Sequence, residues 1–521
     1  MDTAPSIISR WTRRTSWFAA VGLVPALVLG TPTAALAADG DADRPGLAST
    51  GQIMNTVRDL VGFAPRATGS VGGRKTADYV ANRFRKAGLK DVHFETATSY
   101  AWKASDSSLT VDGRAIDSFP ISHSFIAGPT TPSTRTLGPN GKTAEVVDVG
   151  SAGVAGKDVK GKWVLFDLKF ELPTGALALF MTFLWDPYLR LVNPNALLSA
   201  NPYITNQASM VNAAQEAGAL GVIGVLVDYF DSNRYRNEYY RRSPMTIPGV
   251  WVTKKDGAAI RSSLTEGSTA TMKLTATRSA VTARTVVGFL PGKSKDTVMV
   301  QSHHDSQGPG AVEDGTGSAE VIALADYYGS LAKKHGYAKR EKTMMFATFD
   351  THFTGYQQHM AFAEKYIVKK QTPYRIVANA TIEHIGKKAI IDKDGQLEVL
   401  NQHEPRGIFE NVSLPLKAKL DARVVRNNIH TTAVLNSTLP GKLLGGIPTD
   451  ASFAVLAGVP TISLIAGPLY MYDDADTPDK VDQTQLRPVA VFFADMLDAL
   501  DSTPSNRIAQ GSLVGLGGKL G

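Results

Sequence analysis

Cysteine is absent from all 521 residues, which excludes disulfides, thiolate ligation of a metal and a cysteine nucleophile. Any metal must then be held by His, Asp or Glu. Charge of one sign is also scarce. The formal net charge is +7; Arg10, Arg13 and Arg14 against Asp2 supply two of these charges, and the rest are dispersed through mixed-sign sequence, which argues against a nucleic-acid partner. No apolar run makes a good membrane span: Trp17–Gly30 is short and broken by Pro25, and Gly175–Trp185 covers about half a span. There is no Gly-x-Ser-x-Gly elbow and no Gly-x-x-x-x-Gly-Lys-Ser/Thr phosphate loop, and the glycines from Gly308 to Gly317 are not spaced as a dinucleotide fingerprint.

The first residues instead read as an export signal: a basic start, the apolar stretch, and a small-residue cleavage pattern at Ala35-Leu36-Ala37. Thr12-Arg13-Arg14 resembles a twin-arginine signal, suited to a protein loaded with metal before export. The mature chain is expected outside the cell, with no membrane insertion once residues 1–37 are removed. Its length exceeds what one hydrophobic core usually serves, so two units are expected.

The first unit, residues 38–125 and 284–503, reads as α/β. Ala77, Val80, Ala81, Phe84 and Ala87 recur at helical spacing before a Gly88 stop and a strand at Val92-His93-Phe94. Later, apolar β-branched strands at 285–290, 298–301, 343–350, 375–383 and 459–465 alternate with amphipathic helices such as 318–333. That pattern implies a mixed, largely parallel sheet buried on both faces. Between these parts, residues 126–283 carry short strand candidates at 145–149, 163–167, 222–227 and 250–253 and read as a smaller inserted domain. The apolar 175–185 segment reads as buried or at an interface. The Gly-rich 504–521 tail reads as flexible, and Arg234–Arg242 as a solvated loop or a cleft lining for an acidic group.

The most informative stretch is His303-His304-Asp305-Ser306-Gln307-Gly308-Pro309-Gly310-Ala311-Val312-Glu313-Asp314-Gly315-Thr316-Gly317, directly after the apolar Val298-Met299-Val300. It reads as a metal site along a strand and its exit loop. Neutral imidazole and carboxylate oxygen suit a zinc-like ion, and in His-x-Asp the aspartate can orient the imidazole. In a parallel sheet functional groups gather at the strands' carboxyl ends, where His303, Asp350, His352 and Glu383 all fall.

Further landmarks occur in order: Arg66-Ala67-Thr68-Gly69-Ser70, Thr343–Asp350 with Gly355, Ile382-Glu383-His384-Ile385-Gly386, Gly458-Val459-Pro460 and Asp476-Thr477-Pro478-Asp479-Lys480-Val481. Together with the His303 run they resemble the zinc-dependent aminopeptidase family that includes bacterial leucyl aminopeptidases, glutamate carboxypeptidase II and the transferrin receptor. The inserted segment resembles the protease-associated domain of several members. The resemblance implies a binuclear site on five ligands with a glutamate base, and this chain keeps only half of it. The first-metal ligands map to His303, Glu313 and Glu383, with Asp305 in support of His303; Asp314 is the alternative to Glu313 if the loop slips by one residue.

Where the family has consecutive base and ligand glutamates, this chain has His352 and Phe353. Where it has its last ligand histidine, the chain has Tyr472. One divalent ion, zinc by resemblance, is therefore expected. His352 is read as a general base, which imidazole can serve near neutral pH, as a fourth ligand, or as a histidine that only hydrogen-bonds. Strand alternation turns His304 and His384 away from a ligand at 303 or 383, so both are expected to be packed or surface residues. Asp450 resembles a family loop near the substrate pocket, or caps a helix.

The implied activity is amide or peptide hydrolysis on peptidyl or aminoacyl-amide substrates, with His352 and Asp305 as catalytic residues. A catalytically inactive binding protein, and single-zinc acyl-transfer or cyclase chemistry, are the alternatives.

Overall fold

The computed structural model describes residues 44–126, 132–236, 245–443 and 445–509. The export signal and the end of the Gly-rich tail lie outside the described residues, as does most of Arg234–Arg242. Among those described, no helix is long and apolar enough to cross a membrane.

The helix expected at residues 76–87 is present, and another precedes it. Ser49 caps helix α1 (Thr50–Val61) through a capping box with Gln52. Ser70 caps α2 (Val71–Ala87), which ends at Gly88 in the left-handed region, φ 97°. The strand read as three residues is far longer: β1 (Lys90–Val111) runs for 22 residues.

The remaining larger strands are β2 (Lys142–Gly150), β3 (Trp163–Leu168), β4 (Met181–Trp185), β5 (Gly221–Leu226), β6 (Gly249–Thr253) and β7 (Thr269–Leu290). They continue with β8 (Ser294–His303), β9 (Lys342–Phe349), β10 (Arg375–Ile382), β11 (Arg406–Glu410), β12 (Thr432–Asn436) and β13 (Thr461–Ala466). The antiparallel ribbon of β1 on β7, from Lys90 opposite Phe289 to Val111 opposite Ala270, joins two halves of one continuous sheet. Positions 283 and 284, where the sequence divides its two units, are consecutive within β7.

On one side of the ribbon β2, β3, β5 and β6 pair in parallel in that order. On the other, β9 lies antiparallel to β7 and begins the parallel run β9–β8–β10–β13. The central strands β8, β9, β10 and β13 are apolar and almost wholly buried, as continuous β-branched runs covered on both faces require. Helices α2, α3 (Gly317–His335) and α4 (Gln483–Ser502) supply cover, with Val321, Leu324, Val489 and Phe493 in the core. This is the expected α/β fold, a largely parallel sheet flanked by helices.

The apolar 175–185 segment has a definite place. Residues Thr174–Phe180 form a short 3₁₀ helix, and β4 pairs antiparallel with β12 at the sheet's edge. Leu177, Phe180 and Met181 pack on the small core of Phe409, Leu435 and Ile465, while Leu179 is exposed.

Candidate metal centre

The candidate residues leave the carboxyl ends of adjacent parallel strands. β8 ends at His303, β9 leads into Asp350-Thr351-His352, and β10 leads into Glu383-His384. The exit loop that carries Glu313 is held from below by two other sequence landmarks. Arg66, fully buried, donates from Nε to His304 O (2.8 Å) and from its two Nη groups to Pro309 O and Gly310 O (2.9 Å each). Asp476 accepts the Val312 and Glu313 amides at 2.9 Å each. Gly310 has φ 60°, and a Cβ there would lie 2.1 Å from Ser306 Oγ and 2.4 Å from Glu313 O, so no other residue fits the turn.

Glu313 stands among three imidazoles. Its Oε1 is 3.2 Å from His303 Nε2 and 3.5 Å from His352 Nε2; its Oε2 is 2.6 Å from His384 Nε2. Each imidazole has its other nitrogen against an acceptor. His303 Nδ1 faces Asp305 O at 3.1 Å, with the Asp305 carboxylate at 3.4 Å. His384 Nδ1 faces Ala466 O at 2.7 Å, and His352 Nδ1 faces Asp450 Oδ1 at 2.8 Å. A nitrogen that faces an acceptor carries the proton, which leaves the Nε2 lone pairs pointed at Glu313. The rings of His303 and His352 stack at 4.0 Å.

Such an arrangement fits a cation. Despite the short separations, His303 Nε2, His384 Nε2 and both Glu313 oxygens have no partner in hydrogen-bond geometry. The three side chains belong to residues that are 2% exposed or less, so bulk water does not satisfy them. Two imidazole nitrogens and a carboxylate are a sound donor set for zinc with one position open. Without an ion the imidazoles of His303 and His384 hold extra protons. Burial opposes charge on His384, yet the Glu313 carboxylate outweighs it and raises the imidazole to about 10. Burial likewise works to raise Glu313, but His384 and His303 pull it well below the usual carboxylate range.

Most of the predicted site residues meet here: His303, Glu313 and His352 around one point, with Asp305 behind. The Asp305 carboxylate accepts the His352 amide at 3.2 Å and the Phe353 amide at 3.3 Å, tying two strand ends together. Glu383 lies apart from that point. Among the described residues, the groups able to share an ion are His303–Glu313–His384 and His303–His352–Asp450, and Glu383 is in neither. Its two oxygens accept the Asp450 amide at 3.1 and 3.3 Å, and burial together with the Asp450 charge raises it well above its ordinary value.

His384 takes the place expected of Glu383. Alternation pointed His384 away, but β10 ends at Ile382 and His384 has φ 56°, so the strand rule no longer applies there. Asp314 is engaged elsewhere: it accepts from Ser302 Oγ at 2.5 Å and from the Gly317 and His384 amides at 3.1 Å each. His304 Nδ1 lies near Thr348 O and Oγ1, and burial lowers it to about 4. Phe353 and Tyr472 pack edge to face at 6.0 Å. Arg236, from the basic-aromatic stretch, pairs with Asp474 at 2.6 Å next to that loop. Sequence reasoning missed His359, whose Nε2 is 3.2 Å from Asp450 Oδ2; its only signal was a second histidine seven residues after His352.

A carboxylate ringed by imidazoles thus stands at the carboxyl edge of a parallel sheet, where ligands of such folds gather. Residues 285–496 match the model of Peptidase family M28. Solved structures agree over most of the chain. An aminopeptidase from Aneurinibacillus sp. strain AM-1 superposes with TM-score 0.55 at 20% identity, over 89% of this chain and 95% of that one. BSAP, a zinc aminopeptidase from Bacillus subtilis, gives 0.60 at 17%, over 89% and 99%. A Peptidase M28 precursor from Shewanella amazonensis gives 0.62 at 18%, over 87% and 93%. At these identities the likeness is one of fold. No curated protein matches the chain in sequence.

Proposed function

We propose that the protein is an exported metal-dependent hydrolase of aminopeptidase type, acting on peptidyl or aminoacyl amides with one zinc-like ion. The observation that carries this reading is the Glu313 carboxylate with the Nε2 atoms of His303, His384 and His352 around it. His303, Glu313 and His384 would hold the ion. When bound, such an ion polarises a carbonyl and lowers the pKa of water.

The chain's own groups supply the rest. Asp450 holds the His352 Nδ1 proton, so the Nε2 lone pair faces the centre and can take a proton from the attacking water. The imidazolium so formed lies between the Asp450 and Glu313 carboxylates, which stabilise it until the proton passes to the leaving amine. Asp305 orients His303 and fixes the backbone at His352 and Phe353. The near-complete burial of these groups excludes bulk water and strengthens each interaction.

The twin-arginine-like start supports export, and the half formed by β2, β3, β5 and β6 supports an inserted unit of protease-associated type. A second reading, a binding protein without catalysis, is favoured by Phe353 and Tyr472, which stand at positions where the resemblance expects second-metal ligands and pack against each other. Metal analysis of the purified mature chain, combined with hydrolysis of a panel of aminoacyl and peptidyl amides, separates the two. One equivalent of zinc with hydrolysis supports the enzyme. Absence of both bound divalent metal and hydrolysis overturns it.

A further inference from the structure

We propose that His359 is a positioning residue which, through Asp450, sets the tautomer of His352; this rests on the reading of His352 as the base. Asp450 is fully buried and gripped from three directions. Its Oδ1 lies 2.8 Å from His352 Nδ1, its Oδ2 lies 3.2 Å from His359 Nε2, and its amide donates to the Glu383 carboxylate at 3.1 and 3.3 Å. Glu383 thus has a use other than ligation: it anchors the backbone of the residue that orients the base.

The proton on His359 can be placed by elimination. The ring stacks on Phe349 at 4.3 Å and 17°, and meets Tyr356 and Phe453 edge-on at 5.2 and 5.4 Å. Its Nδ1 is buried and has no hydrogen-bond partner. A proton on Nδ1 would bury an unsatisfied donor and set the Nε2 lone pair against a carboxylate, and both are unfavourable. The proton therefore sits on Nε2 and is donated to Asp450 Oδ2. With Oδ2 engaged, Oδ1 is left to accept from His352 Nδ1, and the His352 lone pair is directed to Nε2, 3.5 Å from Glu313 Oε1. Asp450 hydrogen-bonds to both histidines and so links His359 to the base. Remote oriented partners of this kind affect activity by roughly 10–100-fold.

Two variants of the full mature chain separate this role from simple packing. His359→Phe keeps the ring stack and loses the N–H; His359→Gln loses the stack and keeps an N–H near the place of Nε2. On an aminoacyl amide that the wild type hydrolyses, kcat should fall about tenfold or more in the phenylalanine variant with KM little changed, and the glutamine variant should recover most of it. Circular dichroism checks that both fold. The reverse order, Phe benign and Gln damaging, marks a packing role and overturns the proposal, as does equal activity of both variants with the wild type.

A readout independent of activity comes from the ring nitrogens of 15N-histidine-labelled protein, the His352 signals being assigned by their loss in His352→Gln. Wild type and His359→Gln should show Nδ1–H at His352, and His359→Phe a mixture of tautomers. Unmixed Nδ1–H in the phenylalanine variant overturns the positioning role even if the protein hydrolyses nothing. A wild type without hydrolysis whose His352 tautomer still depends on His359 would sink only the base assignment.

Discussion

His384 Nε2 lies 2.6 Å from Glu313 Oε2 while its Nδ1 lies 2.7 Å from Ala466 O, so one imidazole links the exit loop of β8 to the end of β13. With the proton on Nδ1, its lone pair belongs to the candidate ion. His384→Ala should therefore lower zinc affinity by at least about a hundredfold, beyond the range for outer partners. Glu383→Gln should retain one equivalent of zinc. Competition with a chromophoric chelator checks both, and zinc retained by the alanine variant but lost from the glutamine variant would return Glu383 to the ligand set.

His352→Ala tests the base. Hydrolysis should drop by about 10²–10⁴-fold, the usual worth of a positioned acid-base group, with zinc content unchanged. Metal analysis of the same sample decides the matter, since loss of zinc would make His352 a ligand.

Glu320, in the first turn of α3, is buried with both carboxylate oxygens lacking hydrogen bonds, and burial raises it well above the ordinary carboxyl value of 4.5. A raised folded pKa means its share of stability is intact below the unfolded pKa and is lost as pH climbs towards the folded one. Glu320→Met should stabilise the protein at pH 8 by about 1–3 kcal/mol, the cost of an unsatisfied buried polar group, and by less at pH 4. Urea unfolding at the two pH values reads the difference.

Glu95 behaves in the opposite sense. Burial works to raise it, but His93, Lys365 and Tyr366 overcome this and hold the carboxylate at about 2. The Lys365 pair spans 2.7 Å and the Tyr366 hydroxyl 2.6 Å, joining β1 to residues beyond β9. A depressed pKa contributes stability above the unfolded value that fades as pH falls from about 4.5 to about 2. Glu95→Gln should cost about 1–2 kcal/mol at pH 7, a figure reduced for the partly exposed lysine, and much less near pH 2.5. Thermal unfolding of both proteins across this range provides the check.

The order of elements was readable because its causes are local. Helical spacing from Ala77 to Ala87 with Gly88 behind it, and apolar runs before His303 and Asp350, depend on neighbours in the chain. The length of β1 did not show: Ser, Thr and Lys residues between Tyr100 and Val111 carry no strong strand pattern and are held by pairing with β7, from Tyr100 opposite Ala280 to Val111 opposite Ala270. The edge pairing of β4 with β12 is equally remote.

From sequence alone came the largely parallel α/β architecture, the absence of thiolate chemistry, and His303, Asp305, Glu313 and His352 as the residues around which a centre would form. Only the tertiary structure put His384 rather than Glu383 beside Glu313 and placed Asp450 between His352 and His359. The reason is physical. Side-chain alternation follows from the strand's own geometry and stops where the strand stops. Past Ile382 the direction of each group is decided by partners brought from elsewhere in the chain: Asp314 on the His384 amide, Ala466 on its ring, and the Asp450 amide on Glu383.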